Sequence, residues 1–280
     1  MLIPVCDDDK HYWVNQHEVQ KLLEKGKDWL DEHPEKEVIV RRYLKHQRSL
    51  ANKALEILVS KDDLQAEPAE KILKIHDQRL IAAKDVLLES GCKRVVDLGC
   101  GEGRLVKLLL SEKFFEYVLG MDVSYRSLEQ AKESLKLERL SEIQLSRVRL
   151  IQGSLTYRDK RIEGFDGAAL VEVIEHLDQP RLTALERTVF EFAKPGIVVV
   201  TTPNAEYNVR FADYGEGKMR HNDHRFEWTR KQFENWATGI AVKNSYEVSF
   251  RPLGAVDPEV GAISQMAVFK LKTEREGSLS

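Results

Sequence analysis

The stretch that decides the fold of this 280-residue chain is Val95-Val96-Asp97-Leu98-Gly99-Cys100-Gly101-Glu102-Gly103. A short apolar run passes directly into three alternating glycines, and a helical pattern follows, which is typical of a strand, a tight turn and a helix N-terminus. Backbone N–H groups at such a turn can approach a ligand closely and favour its negative groups. The segment therefore predicts a nucleotide-like ligand, although its G-x-G-x-G spacing differs from the G-x-G-x-x-G of hydride-transferring dinucleotide enzymes.

Downstream of this turn, short apolar runs alternate with helical stretches. This alternation is the signature of repeated βα units and predicts an α/β fold with a mostly parallel, doubly wound sheet. We expect strands at residues 94–98, 117–121, 147–152, 167–171 and 196–201, a helix at 229–238, and two further β runs at 246–252 and 263–271.

Upstream of the turn the pattern is helical, with helices expected at residues 18–32, 35–60 and 69–89 and no strand pattern between them. The predicted organisation is a helical N-terminal segment at 1–90, a main domain at 91–272 and a disordered tail at 273–280.

Composition narrows the classes of function. The chain has 43 basic and 46 acidic residues, so it lacks the overall positive charge of a protein that coats nucleic acid, and any such contact must be local. Three scattered cysteines with no C-x-x-C pair, and no secretory segment or long apolar run, predict a reducing, cytoplasmic setting without a membrane span.

Acidic and polar residues stand at the ends of the first three expected strands. Asp97, two positions before the first glycine, is placed to bind the amino group of a ligand. Backbone groups of the turn would hold the carboxylate of the same ligand. Asp122 ends the second strand, where a carboxylate can take both ribose hydroxyls. Ser154 and Leu155 follow the third strand, where they can contact an adenine.

Together these segments resemble the nucleotide site of the class I, Rossmann-like methyltransferases that use S-adenosylmethionine. The resemblance covers residues 93–202. It implies that the cofactor is S-adenosylmethionine and that it is bound by Asp97, Gly99, Gly101, Asp122, Ser154 and Leu155.

A second cluster of polar residues follows the fourth expected strand. Glu172, Glu175 and His176 are spaced i, i+3 and i+4, so they would share one face if the segment turns helically. Another imidazole from the loop that holds His221 and His224 would complete a set of two carboxylates and two histidines. That mixture of oxygen and nitrogen donors suits manganese or magnesium.

Three motifs make the family recognisable: Glu172-x-x-Glu175-His176, the run from Thr201 to Asn208, and Asp223-His224-x-Phe226-Glu227-Trp228-Thr229. They resemble those of the metal-dependent RNA 3′-terminal ribose 2′-O-methyltransferases, also called the small-RNA 2′-O-methyltransferase family. The resemblance implies that Glu172, Glu175, His176 and His224 ligate Mn²⁺ or Mg²⁺ and carry the catalysis, whereas His221 matches no ligand position.

The same resemblance implies a partner and a substrate. Residues 7–14 and the helical pattern around them look like the segment joined to the methyltransferase in the bacterial branch, which works with a polynucleotide kinase-phosphatase-ligase in RNA repair. The substrate implied is an RNA 3′ end with free 2′- and 3′-hydroxyls. We expect RNA contacts from the aromatic and basic stretch that includes Tyr207, Arg210, Phe211, Tyr214, Lys218, Arg220 and Arg225.

Two other interpretations stay open from the sequence. A metal-independent O-methyltransferase for a small molecule accounts for the cofactor segments and for Glu172 to His176, since the glutamate can simply anchor a helix. It leaves the motif from Asp223 to Thr229 unexplained. A catalytically silent scaffold is opposed by the intact Asp97, Gly99, Gly101 and Asp122.

Overall fold

The computed structural model describes residues 69–211, 219–221 and 223–272, with a few isolated positions before residue 41. The predicted helices 18–32 and 35–60, the segment 7–14 and the tail 273–280 lie outside the described residues, apart from those isolated positions. The chain divides into two compact units, Met1–Leu73 and Lys74–Ser280. In the first, Leu22, Leu30 and Val40 are buried.

The second unit is built on a seven-stranded sheet, as the sequence predicted. Its strands are β1 Arg94–Leu98, β2 Tyr117–Asp122, β3 Val148–Gln152, β4 Gly167–Val171, β5 Ile197–Pro203, β6 Tyr246–Asp257 and β7 Gly261–Leu271. The spatial order is β3-β2-β1-β4-β5-β7-β6. The first five strands pair in parallel, whereas β7 is antiparallel to both β5 and β6.

The α-helices of the described residues connect the strands or precede them. They are α1 Ala69–Glu89, α2 Arg104–Ser111, α3 Tyr125–Leu135, α4 Glu142–Leu145, α5 Gln179–Glu186 and α6 Arg230–Asn244. Shorter 3₁₀ turns lie at Leu137–Arg139, Lys160–Ile162, Ile174–His176 and Ala205–Arg210. None of the helices in this part of the chain is long and apolar enough to cross a membrane.

The predicted helix at 69–89 is confirmed at both ends, but the C-terminal elements are longer than their sequence patterns. Helix α6 continues to Asn244. Strand β6 extends to Asp257 and β7 begins at Gly261, because the two strands form backbone hydrogen bonds with each other along this length. A side-chain oxygen of Thr229 caps α6, in a reciprocal capping box with Gln232.

Apolar side chains cover both faces of the sheet. Along β1, Val95 belongs to the core on one face, whereas Val96 and Leu98 belong to the core on the other, as strand alternation requires. Strands β1, β2, β4, β5 and β7 are mostly buried, whereas β3 and β6 are more exposed. Because β1 to β5 are parallel, their carboxyl ends lie at the same edge of the sheet. This edge carries the polar residues that the sequence predicted as site residues.

Candidate active site

The glycine-rich turn after β1 has the backbone conformation that its sequence predicts. Gly99, Gly101 and Gly103 all have positive φ, at 84°, 51° and 75°. A side chain at Gly99 would also meet Val173 Cγ2 at 2.8 Å, so only glycine fits there. Because Val173 belongs to the segment that follows β4, this contact brings the turn against the second cluster of predicted site residues.

Asp122 is already oriented toward this turn. Its Oδ2 accepts a hydrogen bond from the backbone N–H of Gly101 at 2.9 Å, and its Oδ1 accepts one from Ser124 at 2.8 Å. The carboxylate therefore ties the end of β2 to the glycine turn and stands where the sequence placed a ribose clamp.

Asp97 lies beneath the turn and is 3% exposed. Burial, reinforced by the nearby Asp122 carboxylate, raises the pKa of Asp97 to about 7. A cationic group bound beside it would favour the ionised form. Ser154 and Leu155 lie where β3 ends, with the Ser154 hydroxyl 2.8 Å from that of Thr156 and Leu155 packed on the core.

A cavity of about 300 Å³ opens beside the glycine turn. Among the described residues, Asp97, Gly99 and Gly101 line this cavity, together with His76 and Leu80 of α1. Ser154 and Leu155 do not line it. His76 and Leu80 were missed by sequence reasoning, since a helix upstream of the turn carries no motif that ties it to the ligand.

Helix α1 is tied to the turn by charge as well. Asp77 forms an ion pair with Arg104, the first residue of α2. Burial and the positive charges of Arg104 and Arg79 lower the pKa of His76 to about 4. The compact unit that holds the cavity begins at Lys74, inside the segment that the sequence assigned to the N-terminal extension.

Three of the four predicted metal ligands come together at the carboxyl ends of β4 and β5. Glu175, His176 and His224 each offer one ligand atom, and these atoms all lie within 4.8 Å of one another. The rings of His176 and His224 have their centroids 4.9 Å apart. Two segments separated by almost fifty positions in the sequence thus meet at one point.

Backbone hydrogen bonds hold the histidine loop in this place. The N–H of Arg225 donates to the carbonyl oxygen of Glu175 at 2.7 Å, and the N–H of Ala205 donates to the carbonyl oxygen of Trp228 at 3.0 Å. Nδ1 of His176 lies 3.3 Å from the carbonyl oxygen of Asp223. Since a carbonyl oxygen only accepts, this contact leaves Nε2 of His176 as the free nitrogen.

Glu172 is not part of the three-residue group. The 3₁₀ turn begins only at Ile174, and Glu172 itself has a φ of 55°. Glu172 therefore does not share one helical face with Glu175 and His176, contrary to the prediction. Oε2 of Glu172 pairs with Arg79 of α1 at 3.1 Å and its Oε1 accepts from the Thr201 hydroxyl at 2.9 Å. A non-glycine residue in this left-handed conformation is strained and persists where its surroundings hold it.

Burial and neighbouring charges shift the pKa values of this group. Glu175 is fully buried, and burial together with the charge of Glu172 raises its pKa well above the ordinary value. Its Oε2 accepts from the Thr202 hydroxyl at 3.2 Å, whereas Oε1 is the one buried side-chain polar atom of the described residues without a hydrogen-bond partner. Burial and the neighbouring His224 lower the pKa of His176, which favours the neutral imidazole that a metal requires.

His224 has a carboxylate partner, Glu227, whose Oε1 lies 2.5 Å from its Nδ1. Despite its burial, hydrogen bonds from His224, Asn208 and Arg220 keep the pKa of Glu227 below the ordinary value. His221 lies farther out, with its ring centroid 5.7 Å from that of His224 and 6.5 Å from that of His176.

Two of the arginines expected to contact RNA serve the fold instead. Arg210 pairs with Asp257 and Glu259, and Arg220 donates to the carbonyl oxygens of Asn204 and Ile263. Arg225 is exposed beside the histidines, while Tyr214 and Lys218 lie outside the described residues. The sequence pattern could not separate these roles, because the acidic partners of Arg210 lie almost fifty positions away.

The sheet, the glycine turn and the polar edge define a methyltransferase domain. In agreement, the family model described as "Methyltransferase domain" matches residues 96–198. The chain also matches, over residues 1–59, the family model described as "RNA repair, ligase-Pnkp-associating, region of Hen1". The crystal structure of the methyltransferase domain of bacterial CtHen1-C is 51% identical, covers 71% of this chain and all of its own, and superposes with a TM-score of 0.66. The chain therefore belongs to the Hen1 family of small RNA 2′-O-methyltransferases, which confirms the resemblance seen in the sequence.

Two further relatives show how much of longer proteins the chain matches. The rat small RNA 2′-O-methyltransferase is 33% identical over 221 residues, which are 75% of this chain and 55% of that protein. The chain thus spans about half the length of the curated relatives it matches. A chain from the structure of the Pnkp1/Rnl/Hen1 RNA repair complex aligns with 94% of this chain and 57% of its own, at 18% identity and a TM-score of 0.53, and this likeness shows the fold alone.

Proposed function

We propose that this chain transfers a methyl group from S-adenosylmethionine to the 2′-hydroxyl of the 3′-terminal nucleotide of RNA, with the help of one divalent cation. The observation that carries the proposal is the group of Glu175, His176 and His224, with its orphaned buried carboxylate oxygen, beside a methyltransferase cofactor turn. The names of the relatives support the reaction class.

The cofactor would be held mostly by backbone. The glycine turn would take the carboxylate of the methionyl part, Asp97 its amino group and Asp122 the ribose hydroxyls, while Ser154 and Leu155 would flank the adenine. The raised pKa of Asp97 fits this assignment, because the cofactor's ammonium group would stabilise the ionised carboxylate.

The residues present fit a divalent cation. One carboxylate oxygen and two imidazole nitrogens come from Glu175, His176 and His224, and this mixture suits Mn²⁺ or Mg²⁺. The nearby Glu172 is the proposed fourth ligand. When bound, such a cation lowers the pKa of hydroxyl groups that it contacts. Glu172 would join the set by turning one oxygen from Thr201 while Arg79 keeps the other.

The proposed metal group would also favour the 3′ end of an RNA chain. A terminal ribose with free 2′- and 3′-hydroxyls offers two neighbouring oxygens, and binding both would aim the 2′ oxygen at the methyl group. The lowered pKa of His176 favours its neutral form, in which it can be a ligand or accept the proton of the 2′-hydroxyl.

The test is methyl transfer from labelled S-adenosylmethionine to short RNAs that differ only at the 3′ end. The diol end is expected to be methylated, and the 3′-deoxy, 2′-deoxy and 3′-phosphate ends to be poor substrates. Near-normal methylation of the 3′-deoxy end would contradict selection through both hydroxyls. Full activity in excess chelator would contradict the metal and favour a metal-independent methyltransferase.

For the rest of the chain we propose the organisation predicted from sequence: a helical segment at 1–90, a methyltransferase domain at 91–272 and a tail at 273–280, in the cytoplasm. Residues 74–90 of the first segment belong to the compact unit of the methyltransferase domain, so the part proposed to serve a partner lies before them. The match of residues 1–59 to a ligase-Pnkp-associating region supports a polynucleotide kinase-phosphatase-ligase as the partner in RNA repair. Co-purification of the two proteins, and its loss on deletion of residues 1–59, would test this role.

A further inference from the structure

Glu227 contacts Nδ1 of His224, and its side chain is only 2% exposed. Three donors converge on its carboxylate. Nδ1 of His224 lies 2.5 Å and the backbone N–H of Arg220 2.6 Å from Oε1, and Nδ2 of Asn208 donates to Oε2 at 2.6 Å. A buried carboxylate with three donors is held in one orientation, because any rotation would break several charge-assisted hydrogen bonds at once.

The acceptor decides which nitrogen of the imidazole carries the proton. An ionised carboxylate only accepts hydrogen bonds, so His224 must present N–H at Nδ1. In the neutral ring Nε2 then keeps a free lone pair. His224 is itself 8% exposed, so it cannot easily turn to exchange its two nitrogens, and Nε2 is the atom left for the group with Glu175 and His176.

The two histidines of the group are supported unequally. Nδ1 of His176 meets a neutral carbonyl oxygen, that of Asp223, at 3.3 Å, whereas Nδ1 of His224 meets a carboxylate at 2.5 Å. A charged acceptor makes the opposite nitrogen a stronger electron donor than a neutral one does.

We propose that Glu227 is a positioning residue that keeps His224 in the Nδ1–H tautomer and strengthens its Nε2 as a donor to the divalent cation. This inference rests on the proposed function, since it concerns the same metal group. It also explains why a glutamate follows His224 by three residues: the spacing lets a carboxylate reach behind the ring while the chain turns toward α6.

The experiment compares Glu227→Ala, which removes the acceptor, with Glu227→Gln, which keeps an oxygen but no charge. Glu206→Gln is the matched control, because Glu206 is a partly buried glutamate of the same region that pairs with Arg230 and touches neither histidine. Folding of each variant is checked by circular dichroism and thermal unfolding.

The first readout is the ¹⁵N spectrum of the imidazoles in metal-free protein with labelled histidine, where the His224 signals are those missing from His224→Ala. The unaltered protein and Glu206→Gln are expected to show Nδ1–H at His224, and Glu227→Ala a shift toward Nε2–H. Retention of pure Nδ1–H in folded Glu227→Ala would overturn the proposal.

The second readout is Mn²⁺ affinity by calorimetry. We expect Glu227→Ala to bind about 10- to 100-fold more weakly than the unaltered protein, Glu227→Gln to lie between them and Glu206→Gln to be unchanged. If Glu227→Ala does not fold, Glu227→Gln decides, and an affinity equal to that of the unaltered protein would overturn the proposal. No Mn²⁺ binding by the unaltered protein would contradict the proposed metal instead, while the tautomer result would still be informative.

Discussion

The two halves of the candidate site are built in different ways. The cofactor half centres on one continuous glycine turn, and Asp122 at the end of β2 accepts hydrogen bonds from the N–H groups of Gly101 and Ser124. The metal half joins a turn after β4 to a loop before α6, and it leaves Oε1 of Glu175 buried without a partner. In the cofactor half, both oxygens of Asp122 thus accept hydrogen bonds, whereas the proposed metal half keeps a buried carboxyl group, that of Glu175, whose pKa is raised well above its ordinary value.

The difference predicts the largest effect in the metal half. His224→Ala is expected to lower methyl transfer at least about 100-fold, because it removes a donor from a group that has few others. His221→Ala, which changes an exposed histidine of the same loop, is the control and should keep most of the activity. Equal losses in the two variants, measured with labelled S-adenosylmethionine, would erase the distinction between them.

A smaller effect is expected in the cofactor half. Asp122→Ala removes the carboxylate proposed to bind the cofactor ribose and should weaken S-adenosylmethionine binding about 10- to 100-fold, as expected for hydrogen bonds to a charged group. Calorimetry measures the change, and circular dichroism checks that the sheet persists. Unchanged affinity would remove Asp122 from the site.

Stability should change in opposite directions at the two carboxylates of the metal half. Glu175→Gln, in metal-free protein near pH 7, is expected to raise the free energy of unfolding by about 1 kcal/mol, since burial raises the pKa of Glu175 and folding must either protonate this carboxyl group or bury its charge. Glu172→Gln should lower it, because that charge is paired with Arg79. Denaturant unfolding measures both, and a loss of stability in Glu175→Gln would show that its charge is balanced within the protein.

The smallest effect concerns RNA. Arg225→Ala is expected to weaken binding of a short RNA two- to three-fold and to reduce the salt dependence by about one phosphate contact, since this exposed cation follows His224. Arg210→Ala is the control, because Arg210 is committed to Asp257 and Glu259. Equal RNA affinities of Arg225→Ala and the unaltered protein, by fluorescence anisotropy, would place the RNA path elsewhere.

Local pattern alone predicted the sheet, the helix from Ala69 to Glu89 and the glycine turn. These features depend on residues close in sequence: alternating apolar runs form strands, and three alternating glycines allow the positive φ angles of the turn. Glu175, His176 and His224 were predicted as one group because their motifs are recognisable, although nothing in the spacing itself measures the distance between them.

Only the tertiary structure decided the roles that depend on distant partners. Arg79 and His76 reach the site from a helix before the first strand, Glu172 is drawn toward Arg79, and Arg210 is neutralised by acids of the β6–β7 hairpin. The charge and hydrogen-bonding of a side chain are determined by whatever packs against it, and packing brings together residues that the linear pattern cannot pair. The sequence thus determined most of the polar groups of the site, and the fold determined which of them are paired with residues that are distant in the sequence.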